Sequence, residues 1–176
     1  MPKILKTCPY FIILLSCLTT SVIAKPAQKS RAIANAWELP SLILNDLTGQ
    51  QYNLYEWHGK IIMLNFWATW CGPCQTEIPD FINFQRQYAD QGLQVIGIGL
   101  DETRKLRNFV RTTGINYPIL QANPELQYTL LKQWGNPYGI LPFTVIIGRD
   151  GHFIFMQQGI FNKRAFDNIV KPLLDK

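Results

Sequence analysis

The chain has 176 residues, 47% of them hydrophobic and 16% charged, with a formal net charge of +5. That apolar content suffices for one ordinary globular domain with a real core, and no internal repeat or low-complexity tract interrupts it. The charge falls to +3 once an acid-free leader carrying Lys3 and Lys6 is set aside, too mild to point to nucleic acid or an acidic membrane as partner.

The first 24 residues have the layout of a secretory signal: Lys3 and Lys6 in a basic start, an apolar centre from Phe11 to Leu18, and Val22-Ile23-Ala24 as a small-residue cleavage site. Cleavage after Ala24 is the first choice, an uncleaved anchor the second and a lipoprotein the third. Pro9 to Ala24 is 16 residues, short of the ~20 that a spanning helix needs. Leu14-Leu15-Ser16-Cys17 only faintly matches a lipoprotein processing box. Lys25 to Ala36 carries little bulk and no period, so it reads as a flexible tether, and the domain is expected to run from Trp37 to the C-terminus.

Leu42 to Leu44, a turn from Asn45 to Gly49, and Tyr52 to Leu54 predict a small hairpin. His58-Gly59-Lys60 is a turn, and His58 is read as a solvated turn residue ahead of a catalytic one. Ile61 to Phe66 is a nearly unbroken apolar run, as expected of a strand covered on both faces. Beyond Trp67-Ala68-Thr69-Trp70-Cys71-Gly72-Pro73-Cys74 the period changes to that of a helix, with Ile78, Phe81, Ile82 and Tyr88 on one face. Pro73 fits the first helical turn, so Cys71 is expected at the helix N-terminus. Gly92 stops that helix, and Leu93 to Leu100 reads as a second buried strand, parallel to the first by a right-handed crossover. Asp101 to Thr113 is predicted helical, with Leu106, Phe109 and Val110 inward and Arg104, Arg107 and Arg111 as a solvated stripe. Pro124 to Gln133 is expected as a short helix with Leu126, Leu130 and Leu131 as its apolar face. Leu141-Pro142 heads an apolar strand to Ile147, Asp150-Gly151 signals a two-residue hairpin into His152 to Gln157, and Lys163 to Leu174 predicts a closing helix that buries Phe166, Ile169, Val170 and Leu173.

The chemistry lies in the cysteines. Cys8 and Cys17 belong to the leader, so the mature chain keeps only Cys71 and Cys74. An exported protein with a single C-x-x-C pair has no disulfide framework to maintain. At a helix N-terminus, unpaired N–H groups and the helix dipole favour thiolate over thiol. Lowering a thiol pKa from ~8.5 to ~7 raises the ionised fraction at neutral pH from roughly 3% to about half. The two-residue spacing keeps both sulfurs within disulfide reach, so one can attack and the other resolve. A structural zinc site would want two more ligands, and beyond the leader the only histidines, His58 and His152, lack ligand-like spacing. A purely structural bridge closing so short a loop would restrain little of the unfolded chain.

The order of these parts resembles the thioredoxin-like α/β fold, a central mixed β-sheet flanked by helices, with the N-terminal β-hairpin as an extension. The match is closer to the exported TlpA/ResA-like disulfide reductases. Leu42 to Lys60, Asn65 to Cys74 with Glu77 and Pro79, and Leu141-Pro142 through Gly151 carry it. The resemblance implies that Cys71 attacks a substrate disulfide and Cys74 resolves the mixed disulfide, with Trp70, Gly72 and Pro73 as support. It implies a cis-proline step at Leu141-Pro142, where the Leu141 backbone would pair with an extended substrate. Thioredoxins place a buried Asp where this chain has Asn65, which cannot shuttle a proton; exported relatives carry instead a Glu at the position of Glu77, which would accept the Cys74 proton. The alternative reading of Glu77, a first-turn acid favoured by the helix dipole, stays open.

The implied activity is that of a periplasmic protein-disulfide reductase without a cofactor beyond its redox-active Cys71–Cys74 pair and without a metal. It would be a monomer, kept reduced by a membrane thiol electron donor of the DsbD/CcdA type and acting on disulfide-containing exported proteins, apocytochrome c among them. Three rivals remain: a thiol oxidant of the DsbA type, a thiol peroxidase and a copper-binding protein. Gly72-Pro73 favours reduction over oxidation, Ala68 stands where peroxidases place a threonine, and copper carriers of this fold use a wider cysteine spacing and a histidine.

Overall fold

A computed structural model describes residues 39–175; the expected signal, tether and domain start at Trp37 lie outside the described residues. The sheet has seven strands in the order β2-β1-β5-β4-β3-β6-β7. These are β1 Ile43–Asp46, β2 Gln51–Asn53, β3 Ile61–Trp67, β4 Leu93–Gly99, β5 Ile119–Gln121, β6 Phe143–Ile147 and β7 Phe153–Gln158. The helices are α1 Gly72–Tyr88, α2 Thr103–Thr113, α3 Gln127–Gln133, α4 Lys163–Ile169 and α5 Lys171–Leu174. Among the described residues no helix is long and apolar enough to cross a membrane.

β3 is central because all its residues are buried, which is why its sequence is an apolar run instead of an alternation. It pairs in parallel with β4, Asn65 opposite Gly97, and antiparallel with β6, Asn65 opposite Thr144. One face of the sheet carries α1, α2 and α4: Phe81 meets Phe161, Phe84 stacks on Phe166 at 3.9 Å, and Trp67 meets Phe109 of α2. Gly97 is fixed by this packing, since a Cβ there would lie 2.5 Å from Ile119 Cδ1 and 3.0 Å from Trp67 Nε1. On the other face Phe66 packs against Phe143 and against Trp134, which closes α3.

The expected hairpin is present as β1 and β2, and β1 also pairs with β5, which joins the hairpin to the main sheet. β5 itself, three residues between Pro118 and Ala122, was not expected. Four sequence expectations need correction. The link between β6 and β7 is longer than a two-residue turn: Gly148 N–H bonds the His152 carbonyl, and the register shifts between Ile146 and Ile147, leaving Ile154 as the extra residue of a bulge. The helix from Pro124 is a 3-10 turn over Pro124–Leu126 followed by α3, and Leu126 is exposed while Leu131 is buried. The closing helix is divided into α4 and α5 at Val170, because Pro172 has no N–H to continue the ladder. It buries Phe166, Val170 and Leu174, whereas Ile169 and Leu173 are only partly covered.

Candidate active site

β3 ends at Trp67, a short loop follows, and α1 begins at Gly72 with Cys71 as its N-cap residue. The Cys71 Sγ accepts the Cys74 N–H at 3.3 Å, the capping bond that a serine or aspartate makes at other helix starts. Pro73 occupies the first turn, where its missing N–H costs nothing. Cys71 and Cys74 are joined as a disulfide, with Cα atoms 5.3 Å apart. The pair is asymmetric: Cys71 is 5% exposed and Cys74 fully buried, while Trp70 beside them is 68% exposed. Gly72 and Pro73 are exposed. The loop before Cys71 is pinned twice, by the Thr69 hydroxyl donating to the Asp101 carboxylate and by Gln75 Nε2 donating to the Thr69 carbonyl at 2.7 Å. Burial opposes the Asp101 charge, yet the Thr69 hydroxyl, the Glu102 N–H and Lys105 together hold its carboxyl below the ordinary carboxylate range.

The Leu141–Pro142 bond is cis. Pro142 immediately precedes Phe143, which pairs with Phe66 near the C-terminal end of β3, so topology brings the proline to the end of the sheet that carries the cysteines. Its carbonyl accepts the Gly159 N–H at 2.8 Å. Ahead of it, Asn136 is buried and grips Ile140 by both backbone groups, Nδ2 to the carbonyl at 2.7 Å and Oδ1 from the N–H at 3.1 Å.

Glu77 lies on α1 one turn beyond Cys74, past the first turn of a helix that starts at Gly72, and is 1% exposed, so it is not the first-turn acid of the alternative reading. Oε1 accepts Asn65 Nδ2 at 2.7 Å and Oε2 accepts the Phe161 N–H at 2.8 Å. Burial, only partly offset by these two bonds, pushes its carboxyl up to about 7. Asn65 Nδ2 also donates to Thr144 Oγ1 at 3.1 Å. Sequence reasoning missed Thr144, Phe161, Asp101 and Asn136; only a polar Asn65 inside an apolar run signalled the network. The histidines do not join the site. His58 and His152 lie at the other end of β3, a strand whose seven residues span roughly 20 Å.

The sequence matches the AhpC/TSA family over residues 35–156. The chain belongs to the AhpC/TSA family. Within this AhpC/TSA protein the paired cysteines make the site that of a thiol–disulfide oxidoreductase. It is 30% identical over 141 residues to the thiol-disulfide oxidoreductase ResA of Geobacillus thermodenitrificans (strain NG80-2), covering 80% of this chain and 78% of that protein. A thioredoxin-family thiol:disulfide interchange protein from Chlorobium tepidum TLS superposes with a TM-score of 0.69 at 31% identity, over 79% of this chain and 97% of the other. A secreted thiol-disulfide isomerase from Corynebacterium glutamicum superposes at 0.70 with 25% identity, over 78% and 86%. The thioredoxin-like architecture expected of the AhpC/TSA protein is therefore the one it has.

Proposed function

We propose that the protein is an exported protein-disulfide reductase in which Cys71 is the nucleophile, Cys74 the resolving thiol and Glu77 its proton acceptor. The observation that carries this reading is the asymmetry of the pair: the more exposed sulfur caps a helix, and the buried one lies a turn from a buried carboxylate. In the reduced enzyme the Cys71 thiolate attacks one sulfur of a client cystine, forming a mixed disulfide and releasing the other client sulfur as a thiolate. Cys74 passes its proton to Glu77 and attacks Cys71 Sγ, which frees the second client thiolate. Two electrons have moved to the client, and the enzyme is left with the Cys71–Cys74 disulfide. The Leu141 backbone, set by Pro142, aligns the client as an extended segment, and Trp70 flanks Cys71, the less buried of the two cysteines.

Export is supported by the signal-like first 24 residues and by the secreted isomerase among the structural neighbours. In an oxidising compartment the dithiol needs regeneration, which assigns a membrane thiol carrier of the DsbD/CcdA type as electron donor. Apocytochrome c is the favoured client on family grounds. The test is insulin reduction by the purified protein: Cys71→Ser abolishes it, and Cys74→Ala accumulates mixed disulfides whose partners identify the client. Full activity of Cys71→Ser would overturn the assignment. Equilibration with glutathione fixes the direction, since ~30 mV alters this two-electron balance by about 1.4 kcal/mol. A potential near that of DsbA would make the protein an oxidant, and rapid peroxide consumption would make it a peroxidase despite Ala68.

A further inference from the structure

We propose that Asn65 is a positioning residue that keeps Glu77 hydrogen-bonded in both of its protonation states by turning its side-chain amide. The inference rests on the reading of Glu77 as proton acceptor and adds the group that lets a buried carboxyl change state without losing its partners.

Asn65, Glu77 and Thr144 are all buried, on β3, α1 and β6. Each Glu77 oxygen faces a donor, Asn65 Nδ2 at 2.7 Å and Phe161 N–H at 2.8 Å. This arrangement fits a carboxylate, which only accepts. Once Glu77 takes the Cys74 proton, one of its oxygens becomes a donor and confronts another donor. The Phe161 amide is backbone and cannot reverse. The Asn65 amide can, because its oxygen and nitrogen are nearly equal in size. Its Oδ1 is buried and has no hydrogen-bond partner, while Nδ2 serves both Glu77 and, at 3.1 Å, Thr144 Oγ1. A half-turn of the amide brings Oδ1 to both places. It then accepts from the Glu77 carboxyl and from the Thr144 hydroxyl, which donates as readily as it accepts. Two hydrogen bonds are kept in either state, and the orphaned atom is Oδ1 before the turn and Nδ2 after it.

The other titratable groups around Glu77 do not substitute for this device. Asp80 on the same helix acts on Glu77 only through its charge, and so does Glu77 on Tyr117, whose hydroxyl burial holds well above its ordinary range. β3 and β6 contribute Asn65 and Thr144, and the segment after β7 contributes a backbone amide.

The test reads the resolving step. Reduced enzyme mixed with excess 5,5′-dithiobis(2-nitrobenzoate) releases thionitrobenzoate twice, first as Cys71 is captured and then as Cys74 closes the disulfide. The second phase of the natural protein should accelerate with pH with a midpoint of about 7. A bond to a carboxylate is about twice as strong as one to a neutral acid. Asn65→Leu should therefore raise the midpoint by about one pH unit, making the step about fivefold slower at pH 7 with recovery near pH 9. Thr144→Val, which leaves Glu77 its own contacts, should shift it the same way by less. If Asn65→Leu does not fold, Thr144→Val decides alone. In the oxidised protein the Asn65 side-chain amide NMR signals should titrate with the Glu77 midpoint and stop doing so in Glu77→Gln. An unmoved kinetic midpoint in the folded variants, or amide signals indifferent to pH, overturns the role of Asn65 while that of Glu77 stands. Persistence of the midpoint in Glu77→Gln overturns the reading of Glu77, and this proposal with it.

Discussion

At Glu77 the cost of burying a carboxylate is visible as a stability term. Its folded-state pKa, about 7, lies above the ordinary 4.5. Between those values the native state holds a proton that the unfolded chain has already lost, so stability falls as pH rises through this window and is level above it. Full stabilisation is present below about pH 4.5, where both states are protonated. Glu77→Gln removes this dependence. Its stability relative to the natural protein should improve between about pH 5 and pH 8, by up to about 3 kcal/mol. Urea unfolding of the oxidised forms at the two pH values measures it, and taking the difference cancels any pH-independent packing change. An identical gap at both values would mean that Glu77 does not titrate in this range. The same carboxyl thus destabilises the fold at neutral pH and is partly ionised there, as the proposed role of proton acceptor requires.

The elements that hold the site do so through their ends. The loop before α1 is tied by Thr69 to Asp101 beyond β4, and the segment before β6 is tied by Asn136 to Ile140. Asn136→Ala would leave both Ile140 backbone groups without these partners in a part-buried setting. It should cost about 2–3 kcal/mol in thermal or urea melts, and, if the Leu141–Pro142 segment binds the client as proposed, it should reduce turnover of a protein disulfide more than turnover of a small aromatic disulfide, because it loosens that segment and not the sulfurs. Equal losses on both would place the defect in the cysteines themselves. Much of this framework is legible beforehand. β3, β4 and β6 are nearly continuous apolar runs, α1 and α2 have helical periods, and Cys71-Gly72-Pro73-Cys74 marks the reactive pair by its motif together with its place at a helix start. β5 is not legible, since three residues after Pro118 are too few to establish a period. Nor is the Glu77 environment: Thr144 reaches Asn65 across 79 residues and the Phe161 amide reaches Glu77 across 84, a proximity that only the sheet register creates. The division of the closing helix did have a signal in Pro172, which the apolar spacing around it masked.

Across the whole molecule the charges are distributed away from the cysteines. Register puts the end of β3, the start of β6 and the end of β7 together, since Phe143 pairs with both Phe66 and Gln158. The segments arriving there, residues 67 to 76, 133 to 148 and 153 to 162, contain no Asp, Glu, Lys or Arg, although the chain carries a net charge of +5. Their exposed side chains are uncharged: Trp70, Tyr138, Ile140 and Ile160, with Phe153, Ile154 and Met156 along β7, interspersed with polar Gln75, Thr76, Gln133, Gln158 and Asn162. The loops after β4 and β5 emerge at the same end; the first bears Asp101 and Glu102, both paired with Lys105 at 3.7 and 2.7 Å, the second bears Glu125, and Lys163 and Arg164 follow Asn162. A client cystine docking as proposed would meet a largely uncharged surface around the cysteines, and burial of its flanking residues would then supply the attraction. Turnover of a peptide disulfide with apolar flanks should then change by less than about twofold between about 0.02 and 0.5 M salt, a range over which the screening length shrinks several-fold. Replacing those flanks by acidic residues should lower kcat/KM, because the peptide loses buried apolar area and gains no cation in return. A rate that falls steeply with salt, or that rises with acidic flanks, would show that the distant Lys and Arg residues steer the client and that the uncharged rim is not what recognises it.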